Sequence, residues 1–123
     1  MKKQWYILIV LFLSSVAAFA QPRLTLVAMA HCNKGQLDSA QLLIDEAITL
    51  DDGANDAQTW TYRGYIYKAI YKANERSDPN SPGRMTAIDS YKKSIKLLNE
   101  GLSQEQSLQG ITYLSKTFYN DAV

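Results

Sequence analysis

Cysteine is almost missing from this chain. Cys32 is the only one in 123 residues, so no disulfide can close within one molecule and a thiolate-rich zinc site lacks its ligands. Histidine is as scarce, with His31 alone. Neighbours in sequence diverge by about 100° on a helix, so these two cannot easily pair as base and nucleophile. His31 is expected at a core edge, and Cys32 as a small buried or half-buried residue. Gly53, Gly64 and Gly83 stand isolated, which leaves no glycine-rich cradle for phosphate. Asp45-Glu46 and Asp51-Asp52 pair carboxylates without the spacing of a calcium loop. No enzyme, cofactor or metal site is expected. Charge of one sign is lacking too: 13 basic residues face 12 acidic ones, a formal +1, and no basic surplus points to nucleic acid. Val and Ile never alternate with polar residues over a useful length, which argues against strands.

Charge is absent over one stretch in particular. After Lys2 and Lys3, Trp5 to Val16 is an almost unbroken apolar run ending in Val16-Ala17-Ala18-Phe19-Ala20. A basic start, an apolar core and Ala-x-Ala describe a signal peptide over residues 1–20, cut between Ala20 and Gln21. The run is short of the roughly 20 apolar residues that span a bilayer, so no membrane role is expected after cleavage. Losing Lys2 and Lys3 takes the basic count from 13 to 11 against 12 acidic, a formal −1. Lipidation is not expected, since Gln21-Pro22-Arg23 and His31 come between the leader and Cys32. The expected address is exported, periplasmic or secreted, in a bacterium.

The rest, residues 21–123, reads as one all-α domain of five helices joined by turns. The first opens near Pro22, runs through LTLVAMAHCN and stops at Lys34-Gly35, where glycine is the common cap. The second spans about 37–50, with Leu37, Ala40, Leu43, Ile44, Ala47, Ile48 and Leu50 on one face, and Asp51-Asp52-Gly53 closes it. The third runs from a cap at Asn55 or Asp56 to Asn74. A polar loop, ERSDPNSPG, leads to a fourth over about 84–99, with Met85, Ile88, Tyr91, Ile95 and Leu98 on one face. Glu100-Gly101 ends it. A fifth starts at Ser103 and carries Leu108, Ile111, Tyr113, Leu114 and Phe118.

Helix three holds an unusual aromatic group around Gly64: Trp60, Tyr62, Tyr65, Tyr67 and Tyr71. A helical glycine costs roughly 1 kcal/mol against alanine, so packing should offset it. Trp60-x3-Gly64-x2-Tyr67 allows a close helix crossing at Gly64, with Trp60 and Tyr67 filling the space around it. Helices two and four share a small-x3-large-x2-small pattern: Ala40, Ile44 and Ala47 match Ala87, Tyr91 and Ser94.

Those residues resemble the tetratricopeptide repeat family, whose 34-residue unit is a helix–turn–helix with Trp, Gly and Tyr on its first helix and Ala, a large residue and Ala on its second. The resemblance implies an antiparallel solenoid with units at about 22–53 and 57–100 and a partial unit at 103–122. Leu24 and Ala28 stand for Trp and Gly in the first unit. The second unit is about ten residues long for the family, through its swollen loop, and Arg63 stands where leucine is common.

In that family the first helices line a concave groove. Carried over, the groove residues are Thr25, Met29 and Cys32 on helix one and Gln58, Thr61, Tyr65 and Lys68 on helix three. Thr61 and Tyr65 occupy the places of the Lys and Asn that clamp a terminal carboxylate in one subgroup, so that clamp is not expected. The resemblance implies a protein or peptide partner; the alternative is a capping or spacing segment of a longer solenoid. The apolar stripe of the last helix implies self-association through residues 103–123, or a further helix pairing there.

Overall fold

The computed structural model describes residues 23–97 and 102–123; the leader and the end of the fourth expected helix lie outside them. The described residues hold six helices and no strand: α1 (Leu24–Asn33), α2 (Leu37–Ala47), α3 (Asp51–Ala54), α4 (Ala57–Ile70), α5 (Pro82–Leu97) and α6 (Leu102–Ala122). A wider π-helical turn, Tyr71–Glu75, extends α4.

Local chemistry sets most of the boundaries. Gly35 takes φ +75, the left-handed region that suits glycine. Its N–H bonds the Cys32 carbonyl at 3.0 Å, and that of Gln36 bonds the His31 carbonyl at 2.9 Å, so the last carbonyls of α1 are satisfied as the chain reverses. Asp56 caps α4: its carboxylate accepts from the Thr59 amide at 3.1 Å and the Thr59 hydroxyl at 2.7 Å. Ser81 caps α5 by accepting from the Arg84 amide at 3.1 Å. Pro82 then takes the first helical position, where a missing N–H costs nothing. That helix therefore begins two residues before the expected Arg84.

One expected boundary is overturned. α2 ends at Ala47, not near Leu50. The Thr49 hydroxyl takes the Glu46 carbonyl at 2.6 Å, and Gly53 folds so closely onto the Ala47 carbonyl that no side chain would fit. Leu50 is left 49% exposed. Asp51-Asp52-Gly53 do not close α2; they open α3, which makes a sixth helix.

Hydrogen-bond register gives the topology. Gln41 and Asp45 meet Tyr67, and Asp45 meets Arg63, so α2 runs antiparallel to α4. Thr61 with Ser94 and Arg63 with Ser90 set α5 antiparallel to α4. Arg84 with Thr117 and Tyr91 with Gly110 set α6 antiparallel to α5. Hence α1, α4 and α6 run parallel. Thr25 bonds Thr59 at 2.7 Å across 34 residues, and Thr61 lies 3.2 Å from Ser107 across 46. α4 is central and packs on α1, α2, α5 and α6.

The core joins Ala28, Ala40, Ile44, Ala47, Ile66, Tyr67, Ala87, Tyr91 and Leu114. Small residues sit where helices approach. A Cβ on Gly64 would lie 2.6 Å from the Tyr91 ring, and one on Gly110 would lie closer still to the ring's other edge. Tyr91 is thus gripped between two glycines from two helices. The space at Gly64 is filled by Tyr91 rather than by Trp60. Trp60 instead turns toward α3, where its indole N–H donates to the Ala54 carbonyl at 2.9 Å. Met85, expected on the apolar face of α5, is 48% exposed.

Polar groups are buried as well. The hydroxyls of Thr61 and Ser94 lie 3.0 and 2.9 Å from the Ala57 carbonyl, with Ser107 beside Thr61. Arg63 explains itself as a bridge. It pairs with Asp45 at 3.0 Å, donates to Ser90 at 2.9 Å and lies over the Trp60 and Tyr67 rings. Asp45 is therefore engaged, and it also accepts from the Tyr67 hydroxyl at 2.6 Å.

Candidate functional site

The three parallel helices enclose a cavity of about 360 Å³. α1 contributes Met29; α4 contributes Thr61, Tyr62, Tyr65 and Lys68. α5 sends Tyr91 up from below, and α6 contributes Gln106, Gln109 and Gly110. Successive turns of α4 place Thr61, Tyr65 and Lys68 on one face, because residues three and four apart lie side by side on a helix.

The expected groove residues divide. Met29, Thr61, Tyr65 and Lys68 come together here. Thr61 reaches the cavity from a buried position and spends its hydroxyl within the helix contacts. Thr25 does not face the concavity: it is 3% exposed and bonded to Thr59, because the parallel contact of α1 with α4 closes over it. Gln58 stays half-buried, with its amide donating to the Tyr62 hydroxyl at 3.2 Å. Cys32 is buried in the core, and burial pushes its thiol pKa up, keeping it protonated and weakly nucleophilic. His31 bonds the Gln36 side chain across the α1–α2 turn.

Two features set the character of the site. Its floor is aromatic, and burial pushes the Tyr91 phenol well above the usual tyrosine range. Its rim is cationic. Lys68 Nζ lies 5.1 Å from the Tyr65 ring centre and 5.7 Å from that of Tyr113, and Lys72 Nζ lies 5.6 Å from Tyr113. Burial, and then the charge of Lys72, lower the Lys68 pKa. A second hollow of about 380 Å³ continues from the first, sharing Tyr65 and Lys68 and adding Ala69, Lys72, Ala73 and Arg76. Among the described residues no group of three His, Cys, Asp or Glu is placed to hold a metal ion, and no helix is long and apolar enough to cross a membrane.

Gln106, Gln109, Gly110 and Tyr113 escaped the sequence reading of the groove. A signal was present: Gln106-x3-Gly110-x2-Tyr113 repeats the spacing of Trp60-x3-Gly64-x2-Tyr67. The apolar stripe of α6 is also split. Leu114 is fully buried and Ile111 and Tyr113 half-buried, while Leu108, Phe118 and Tyr119 are exposed. No family model matches the chain, and no curated protein or solved structure matches it either.

Proposed function

We propose that this chain is an exported, non-enzymatic helical-repeat scaffold of the tetratricopeptide kind that holds an extended segment of a partner protein. The observation that carries this reading is the cavity where Met29, Tyr65 and Lys68 of two parallel helices meet Gln106 and Gln109 of a third. Concave, mostly apolar sites with a few placed polar groups are the usual form of ligand pockets. The repeat reading draws support from the Thr25–Thr59 contact, whose 34-residue separation equals the family's unit length. Gly64 and Gly110, one on each of two parallel helices, support it again by taking the same Tyr91 ring between them.

The test is selection of peptides from a displayed random library on the purified protein, followed by a cavity-blocked variant. Gln109 is exposed at the rim, so Gln109→Trp should fill the opening without disturbing the core. Selected peptides should bind this variant about tenfold more weakly or worse. Binders indifferent to the blockage, or no binders at all, would overturn the groove and favour a capping or spacing segment.

A further inference from the structure

Lys68 on α4, Lys72 on its π-helical extension and Arg76 just after it follow one another four residues apart, and all three line the second hollow. Their setting differs from that of the other arginines. Arg23, Arg63 and Arg84 each hold an aspartate, Asp56, Asp45 and Asp121 respectively. Lys68, Lys72 and Arg76 make no ion pair among the described residues; the two lysines lie against tyrosine rings instead. Asp78, two residues past Arg76, accepts from the Asn80 amide at 2.9 Å. Glu75 accepts from the Gly83 amide at 3.3 Å, and Glu105 accepts from the Gln109 side chain at 3.2 Å. A row of unpaired cations therefore runs out of an aromatic cavity.

We propose that the groove's occupant is an acidic extended segment, with one apolar side chain in the cavity and carboxylates at alternate positions on Lys68, Lys72 and Arg76. This rests on the groove reading and adds the chemistry of the ligand. The spacing supports it: four residues of helix advance about 6 Å, and alternate residues of an extended chain advance about 6.6 Å. Alternate side chains of the ligand thus come close to the step from Lys68 to Lys72, and Arg76 lies just past the π-helical turn, within the same hollow. The lowered Lys68 pKa marks a cation short of compensation, which a carboxylate would supply. The row also crosses the π-helical turn Tyr71–Glu75, and such turns are frequent at functional sites. A polyphosphate chain or an anionic bilayer fits less well, because the row stops at three cations and the whole chain carries only a formal +1.

The experiment is fluorescence anisotropy with two synthetic labelled peptides. One has a tryptophan followed by glutamates at every second position; its twin has glutamines in their place. The glutamate peptide should bind at least about tenfold more tightly. That advantage should vanish in the triple variant Lys68→Gln, Lys72→Gln, Arg76→Gln, whose thermal unfolding should remain cooperative, and should shrink as salt rises. Equal binding of the twins, both lost in Gln109→Trp, would reject the acidic ligand and leave the groove standing. Glutamates placed consecutively and bound as tightly would reject the register. Binding of neither peptide, with a single-stranded oligonucleotide or phosphatidylserine vesicle bound through the same three cations, would overturn both readings.

Discussion

The guanidinium carbon of Arg84 sits 3.7 Å from the centre of the Phe118 ring, in a position with no exposure to solvent. The same guanidinium donates to Asp121, to Thr117 at 3.1 Å and to the Pro79 carbonyl, with Tyr71 on a further side. Only its Nε lacks a partner. A weakly hydrated, planar cation is suited to such a place. Arg84→Ala would open a cavity beside Tyr71 and Phe118, while Asp121, partly open to solvent, would be rehydrated; unfolding free energy should fall by about 2–4 kcal/mol, mainly through the lost packing. Arg84→Lys should also destabilise, since an ammonium cannot span the three acceptors. Denaturant titration reads both, and a loss under about 1 kcal/mol for Arg84→Ala would contradict this account.

Gly64→Ala and Gly110→Ala should each destabilise, although alanine is the better helix former by roughly 1 kcal/mol. Either methyl meets the Tyr91 ring, which cannot retreat because the other glycine's helix lies behind it. The expected cost is about 1–3 kcal/mol. In a Tyr91→Leu background the penalty of each should shrink, a coupling that a double-mutant cycle measures. A higher melting temperature for Gly64→Ala would refute the close contact.

Stability should decline on the alkaline side. Burial raises the Tyr91 and Tyr67 phenols above the ordinary 10.0, with Asp45 adding to the effect at Tyr67, and burial raises Cys32 above 9.0. For each, the folded state holds its proton more tightly than the unfolded state. Their contribution is therefore full below pH 9 and is lost as pH rises through the raised values. Lys68 runs the other way: its lowered pKa is a penalty at neutral pH that fades as pH rises through the lowered value and is gone above 10.5. Three groups outweigh one, so thermal midpoints should drop above pH 10. Tyr91→Phe should flatten that drop; an unchanged profile would count against the buried phenol.

Protein recovered from the envelope or medium of an expressing bacterium should begin at Gln21 by intact mass, as the Ala18-Phe19-Ala20 pattern requires. A chain still starting at Met1 would remove the export reading.

The helices were legible because their signals are local. Glycine after α1, the Asp56 cap and apolar spacing on α2 and α5 each act within a few residues. The small positions Ala28, Ala40, Ala47 and Ala87 are buried where their pattern put them. What escaped depends on distant partners. Nothing around Thr25 announces that Thr59, 34 residues away, turns it from groove to core. Nothing near Arg84 announces that Asp121 and Phe118 make a buried site for its charge. The end of α2 was misplaced for a similar reason: Leu50 continues the apolar spacing, but Gly53 folds back onto Ala47. Half of the cavity, on α4 and α1, was implied by the family resemblance; the α6 half needed the second glycine to be noticed.

The hydroxyls of Thr61, Ser94 and Ser107, from three different helices, meet in one buried layer under the Ala57 carbonyl. Hydrocarbon surfaces can slide past one another by a turn and still bury similar area. Hydroxyls cannot, because each that loses its partner in the interior costs about 1–3 kcal/mol. The layer therefore works as an index mark: it admits one alignment of α4, α5 and α6 and rejects those a turn away. The floor of the cavity, set by where Tyr91 falls between its two glycines, inherits its position from that mark.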